Sequence, residues 1–354
     1  MSENDFERWI VLLAGGIGSR FWPASTPQRP KQFLPLGSER PLIVETLERA
    51  RALAPLSNLL VVAGEHLQPL IRSQLADLPF EQLLIEPQAK GTAPALAWAA
   101  QEILARAARP ERAVMVSLHT DHVIRPLDRF RSTLERAVQA AGVTDRLLTV
   151  GVRPTRPETG YGYIEVGDPL TPGTFQVRRF VEKPDRATAE SYLARGGFLW
   201  NSGMFVWRPQ ILLAELGAHT PEIAEHLARL SDGDIGGFFA AVSTLTIDYG
   251  LMERSPSIAV VEAEFDWDDV GAWAALMRVR ARDHEGNLLV GDAHAVDCRD
   301  TLVWAEDGTV VVFGLSDVVV VRASGITFVV PQDRVEELKE LLAALPPELR
   351  EGVD

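Results

Sequence analysis

An apolar run at residues 10–14 stops abruptly at Gly15-Gly16-Ile17-Gly18-Ser19-Arg20, and no other junction in the chain constrains its fold as much. The run reads as a buried strand, and the glycines after it form a loop whose backbone can approach a ligand closely. Their N–H groups would point at phosphate. Arg20, and Lys31 within Pro30-Lys31-Gln32-Phe33, add two permanent positive charges beside the loop, and both read as exposed. The arrangement reads as built for a nucleoside triphosphate, the alternative being a glycine turn with no ligand. It is not a Walker-A loop, because no Gly-Lys-Ser/Thr follows, and the spacing Gly15-Gly16-x-Gly18 is wrong for a dinucleotide fingerprint.

Further apolar runs of strand length occur at 59–63, 82–85, 113–117 and 147–151, with helical patterns between them such as Ile43, Leu47, Ala50 and Ala54. Such a βαβ series predicts an α/β fold, with a Rossmann-like, mixed but mostly parallel sheet flanked by helices. Ligands in these sheets sit beyond the carboxyl ends of the strands. The loops at 15–20, 86–94 and 119–122 each follow a strand and are expected to open onto one crevice. Strand candidates at 161–166, 175–181, 199–206 and 258–262, with a helix at 187–195, extend the same sheet. After Gly286 short β runs at 293–298, 310–313, 318–322 and 326–330 alternate with turns, and 334–345 reads as a terminal amphipathic helix. The expected division is therefore a catalytic domain at 1–283 and a small, β-helix-like domain with its terminal helix at 284–354.

Composition narrows the partners. Thirty-five Lys and Arg against 49 Asp and Glu leave a net charge of −14, which repels nucleic acid and anionic membrane over most of the surface. Phosphate must then be captured by a local cluster of cations and backbone donors. There is no run of 18 apolar residues, the start Met1-Ser2-Glu3-Asn4-Asp5 is acidic where a signal peptide is basic, and Cys298 is the only cysteine. A cytoplasmic protein is expected.

Two carboxylates follow strands in unusual company: Asp121 in His119-Thr120-Asp121-His122, and Asp269 in Phe265-Asp266-Trp267-Asp268-Asp269-Val270-Gly271-Ala272-Trp273. Magnesium takes a few carboxylate oxygens together with water and substrate phosphate, so two aspartates from distant segments suffice. Each could equally be a helix N-cap. The crowding of Asp266, Asp268 and Asp269 favours a nearby cation, because like charges repel. His119 and His122 lack a third His or Cys for zinc. A second group joins Thr159-Gly160-Tyr161-Gly162-Tyr163-Ile164, Phe180-Val181-Glu182-Lys183-Pro184 and Trp200-Asn201-Ser202-Gly203-Met204-Phe205. Glu182 and Asn201 can fork onto sugar hydroxyls, Lys183 can neutralise a sugar phosphate, and Gly160 lets a backbone amide approach the ring. The alternatives are a solvated Glu182–Lys183 pair and a strand bulge at Gly203.

These motifs, with Glu86-Pro87 before Thr92-Ala93-Pro94-Ala95 and with Ile247-Asp248-Tyr249-Gly250-Leu251-Met252-Glu253, occur in an order that resembles bacterial mannose-1-phosphate guanylyltransferases. In length the chain is similar to the monofunctional members, which carry no appended isomerase domain. It departs from the family pattern in Gln88-Ala89-Lys90-Gly91 before Thr92, in His119 where proline is usual, and in Asp268 in place of serine.

The resemblance implies in-line attack of mannose 1-phosphate on the α-phosphorus of GTP, giving GDP-mannose and pyrophosphate with Mg2+ as cofactor. By the same resemblance Arg20 and Lys31 are catalytic, acting on the triphosphate and the leaving pyrophosphate. Ala14, Gly15, Gly16, Gly18, Glu86 and Thr92 hold the nucleotide, Gly160, Glu182, Lys183 and Asn201 hold the sugar phosphate, and Asp121 and Asp269 hold the metal. It also implies a homodimer, to which the valine-rich C-terminal runs would contribute. The rival readings are a nucleotidyltransferase for another sugar 1-phosphate and nucleotide, and a non-catalytic regulatory subunit that binds sugar nucleotide.

Overall fold

A computed structural model describes residues 6–16, 18–346 and 349; Met1–Asp5 and the chain's last residues lie outside it. The chain forms two compact units, each gathered from separated segments.

The first unit takes Met1–Gly15, Thr46–Thr120 and Ile124–Trp267. Its centre is a nine-stranded sheet in the spatial order Leu83–Glu86, Leu59–Gly64, Glu7–Leu13, Ala113–His119, Phe198–Trp207, Leu147–Val152, Ile258–Glu262, Thr174–Val181 and Tyr163–Thr171. The first four strands are parallel, so the loops after Leu13, Glu86 and His119 leave from one edge of the sheet. A parallel strand covered on both faces is apolar along its whole length, and Ile10, Val11 and Leu12 are accordingly inaccessible to solvent. Trp9, Val11 and Leu13 pack in one cluster with Leu96, Ala100 and Ile103 of the helix Thr92–Arg106. Each such large apolar side chain contributes ~1.5–3 kcal/mol relative to an exposed one.

Phe198–Trp207 runs antiparallel between Ala113–His119 and Leu147–Val152, which makes the sheet mixed. Its register against Leu147–Val152 slips between Thr149 and Gly151, so that Thr149 pairs with Phe205 while Gly151 pairs with Asn201. The bulge read from the sequence at Gly203 is this slip.

The second unit takes Gly16–Glu45, Asp121–Val123 and Asp268–Asp354, whereas the sequence suggests a single division at 283/284. Its strands Leu288–Val296, Leu302–Phe313 and Val318–Ala323 are parallel and stacked in register, Leu288 on Leu302 on Val319, with Ile326–Pro331 antiparallel at the end. Leu302, Trp304, Val319 and Val321 share a core with Phe21, Trp22, Leu34, Leu36, Val270 and Trp273. Trp273 lies edge-on to both Phe21 and Trp304, with centroids 5.1 and 5.3 Å away, and its Nε1 donates to the Trp22 carbonyl at 3.0 Å. The C-terminal strands therefore pack against Phe21 and Trp22, the residues that follow the turn of Arg20. At the end of the chain a 3-10 turn Gln332–Glu337 precedes the helix Leu338–Ala344, which is shorter than the expected 334–345. Cys298 is buried. Among the described residues no helix is long and apolar enough to cross a membrane.

Candidate active site

In the second unit one ammonium gathers the expected metal ligands. Lys31 opens the short turn Lys31–Phe33 after Pro30, and its Nζ donates to Asp121 Oδ2 at 2.9 Å and to the backbone carbonyl of Asp269. Lys31 is only 6% exposed, not exposed as expected, because it serves as a buried counter-ion whose stem is covered by the glycine loop. Gly18 makes that cover possible: its φ is +67°, and a Cβ there would lie 2.3 Å from the Lys31 Cβ. Arg20, in the turn Ser19–Phe21, is exposed, as are Gly15 and Gly16, while Ala14 is buried and donates its N–H to the Val62 carbonyl.

Neither aspartate is a helix cap. Asp121 lies in a turn before the strand Val123–Arg125, and the first helical turn after Asp269, Trp273–Ala275, is capped by Ala272. The Asp121 carboxylate keeps 30% of its surface exposed, with His122 Nε2 3.7 Å from Oδ1. The Asp121 carboxylate, reachable from solvent, is a hard oxygen donor that fits a magnesium ion taking substrate oxygens as well, and Asp269 is held to the same ammonium by its backbone carbonyl.

Asp268 belongs elsewhere. It is buried, accepts from Arg278 Nε at 2.7 Å and Nη2 at 3.1 Å, and accepts from the Val270 N–H at 2.8 Å. A guanidinium, rather than a metal ion, thus relieves part of the acidic crowding inferred from the sequence. Asp268→Ala removes a buried acceptor of the Arg278 guanidinium and of the buried Val270 N–H, and is expected to destabilise the fold by roughly 1–3 kcal/mol. Thermal unfolding should show the loss while the magnesium requirement stays unchanged; a raised requirement would place Asp268 at the metal.

The sugar-side motifs converge within the first unit. Glu182 and Lys183 follow the strand Thr174–Val181, with Glu182 Oε1 3.1 Å from Lys183 Nζ. The pair is not simply solvated: the Lys183 side chain is 55% exposed, that of Glu182 only 9%. Glu182 Oε2 is buried without a hydrogen-bond partner, while the Glu182 N–H donates to Glu253 Oε1 at 2.8 Å. Burial raises the Glu182 carboxyl above its ordinary range despite Lys183 beside it. For Lys183, burial pulls downward, but Glu182, Tyr249 and Asp248 together outweigh it and the ammonium is raised.

Asn201 is buried, accepts from the Thr149 hydroxyl at 2.8 Å and donates from Nδ2 to Asp248 Oδ1 at 2.9 Å. Asp248 is pushed up to about 7, first by burial and then by the Glu182 charge. The Gly160 N–H, expected to face a sugar ring, donates to Glu158 Oε1 at 3.1 Å. Thr149, Asp248 and Glu253 went unassigned in the sequence reading. For the last two, the run from Ile247 to Glu253 was the available signal.

Glu86 ends its strand with a carboxyl that burial pushes up to about 7. Thr92 opens the helix Thr92–Arg106, and its Oγ1 accepts the Ile247 N–H at 2.9 Å. Leu245 N donates to the Lys90 carbonyl at 2.9 Å and Ala93 N to the Leu245 carbonyl at 3.1 Å, which pins this loop to the segment leading into Asp248.

A strand, glycine loop and buried ammonium–acid cluster of this kind define a nucleotidyl-transfer fold. The family described as Nucleotidyl transferase matches residues 10–286, and the MannoseP isomerase/GMP-like beta-helix domain matches 291–345. The chain belongs to the nucleotidyl transferase family. It is 35% identical over 349 residues to a mannose-1-phosphate guanylyltransferase of Klebsiella pneumoniae, covering 95% of this chain and 73% of the relative. It is 37% identical over 347 residues to the xanthan biosynthesis protein XanB of Xanthomonas campestris pv. campestris, covering 95% and 72%. A solved structure from Thermus thermophilus, described as a mannose-1-phosphate geranyltransferase, superposes with a TM-score of 0.88 at 35% identity, covering 95% of this chain and 98% of that one.

Proposed function

We propose that the chain transfers the guanylyl group of GTP to mannose 1-phosphate, releasing pyrophosphate and forming GDP-mannose. The observation that carries the transfer chemistry is the buried Lys31 ammonium, bound to the Asp121 carboxylate and to the Asp269 backbone carbonyl, a cation set between the two expected metal ligands. The choice of guanosine and mannose is supported by the relatives' names.

A phosphate oxygen of the sugar phosphate attacks the α-phosphorus while the bond to the β-phosphate oxygen breaks and the electron pair leaves with pyrophosphate. No covalent enzyme intermediate is needed, so the protein's work is positioning and charge stabilisation. Arg20 and Lys31 meet the charge on the triphosphate and the leaving group, and the amides at Gly15, Gly16 and Gly18 line the phosphate path. Glu86 and Thr92 border the nucleoside. Glu182 Oε2, buried and unpartnered, accepts from a sugar hydroxyl, Asn201 donates to one, Lys183 meets the sugar phosphate, and Gly160 flanks the ring. Asp121 and Asp269 would hold magnesium, which when bound supplies positive charge at the reacting phosphate oxygens.

The test is pyrophosphate release from GTP with mannose 1-phosphate, set against UTP or dTTP with glucose 1-phosphate. Faster release with a glucose pair overturns the substrate choice, and binding without release reassigns the chain as a sugar-nucleotide sensor. Cytoplasmic residence is part of the proposal, supported by the single cysteine and by the substrates.

A homodimer is also part of it. Val296 and Phe313 are register partners in the C-terminal stack and are 54% and 73% exposed, with Val311 two residues away at 67%. Contiguous apolar side chains of this kind suit a second copy of the chain. Phe313→Glu is expected to turn a sedimenting dimer into a monomer at micromolar concentration; a monomeric parent chain refutes the interface.

A further inference from the structure

Asn201 has its hydrogen-bonding capacity almost fully assigned. Its Oδ1 accepts from the Thr149 hydroxyl at 2.8 Å and from the Gly203 N–H at 3.3 Å, which uses both lone pairs and fixes which way the amide faces. Nδ2 then donates to Asp248 Oδ1 at 2.9 Å, leaving one N–H to offer. Glu182 offers the opposite polarity, an acceptor oxygen that is buried and unpartnered. Both side chains border the same glycine: a Cβ at Gly162 would lie 2.5 Å from Glu182 Oε2 and 3.2 Å from the Asn201 Cβ.

The placement of Asp248 is itself built. It begins the π-helical turn Asp248–Met252, a rare geometry that is frequent at functional sites. The preceding Ile247 N–H is held by Thr92 Oγ1 at 2.9 Å, and the Gly250 carbonyl accepts from the buried Thr220 hydroxyl at 2.7 Å.

We propose that Asp248 is a positioning residue for the sugar phosphate: its carboxyl holds the Asn201 amide so that the remaining Asn201 N–H and Glu182 Oε2 meet hydroxyls of one sugar as donor and acceptor. The inference rests on the sugar-phosphate reading of this site. It adds a pH dependence, because the charged groups that bear on Asp248 are Glu182 and Lys183, with Glu253 and Tyr249 acting on that same pair. The Glu182 charge raises Asp248, so Asp248 ionises second.

Steady-state kinetics on the full chain tests this. Asp248→Ala removes the acceptor and is expected to raise KM for mannose 1-phosphate by about 10-fold or more while kcat and KM for GTP stay within about 2-fold. Asp248→Asn keeps the volume and an acceptor oxygen and should hold that KM within about 3-fold of the parent. It also removes the group that titrates at about 7, so the inflection that Asp248 gives the pH profile of kcat/KM for the sugar phosphate should disappear. The substrate's own phosphate titration is common to both enzymes and cancels in the comparison. Equal losses in both KM values, a change in kcat alone, or a pH profile in Asp248→Asn that overlays the parent's overturns the proposal. If Asp248→Ala does not fold, the Asp248→Asn profile decides alone. Should the parent release no pyrophosphate with any nucleotide and sugar 1-phosphate, the activity reading falls. Calorimetric titration of mannose 1-phosphate into parent and variant then judges Asp248 separately, and equal affinities overturn its role.

Discussion

Lys31→Ala is expected to reduce kcat by ~10²-fold or more, by analogy with the removal of one preorganised donor from a developing anion. It should also lower the thermal midpoint. The ammonium it removes is the partner of Asp121 at 2.9 Å and of the Asp269 carbonyl, and an acid deprived of its counter-ion costs stability. Arg20→Ala, on an exposed turn, is expected to lose turnover by a similar factor with little change in midpoint. Lys31→Arg should not rescue, because Gly18 already lies against the Lys31 stem and a planar guanidinium needs more room than a single ammonium. Pyrophosphate-release kinetics beside thermal unfolding separates the two positions. Near-parental turnover in either alanine variant refutes its assigned role.

Asp121→Asn and Asp269→Asn should each raise the magnesium concentration for half-maximal activity by roughly 10–100-fold or more, at least the range seen when residues supporting a metal ligand are changed. The two substitutions are not equivalent. Asp269 reaches Lys31 through its backbone carbonyl, so an asparagine there leaves that hydrogen bond in place and excess magnesium should restore most of kcat. Asp121 meets Lys31 with its carboxylate, so its substitution also weakens the ion pair and kcat should stay depressed at saturating magnesium. A magnesium titration of both variants gives the answer; curves that overlay the parent's remove the metal assignment.

The βαβ series was legible because parallel strands buried on both faces leave unbroken apolar runs: 59–63 became Leu59–Gly64, and 258–262 fell on Ile258–Glu262 itself. The glycine loop and the sugar motifs were legible because their spacing is local. Long-range pairing was not. The partner of Lys31 lies 90 positions further along, so a lysine in a loop reads as exposed until the acid that compensates its burial is in place. Asp268 looked like part of a cation trap because Arg278, which neutralises it, carries no mark in the sequence. Asp248 sits within a motif that was quoted without a role, since a π-turn leaves no periodic signature. Hydrophobic pattern reports that a side chain is covered, and says little about what covers it.

The core shared by Phe21, Trp22, Trp273 and Trp304 has a consequence for synthesis. Phe21 and Trp22 leave the ribosome early, yet the residues that close over them are added only near the end of translation. Until then Phe21 and Trp22 lack the side chains that cover them, and contacts between such distant positions form slowly even in a finished chain. Guanylyl transfer is therefore a property of the completed polypeptide. A nascent or prematurely terminated chain that already displays the glycine loop still lacks the packing around Phe21 and Trp22, and on the proposed reading is not expected to hold the triphosphate.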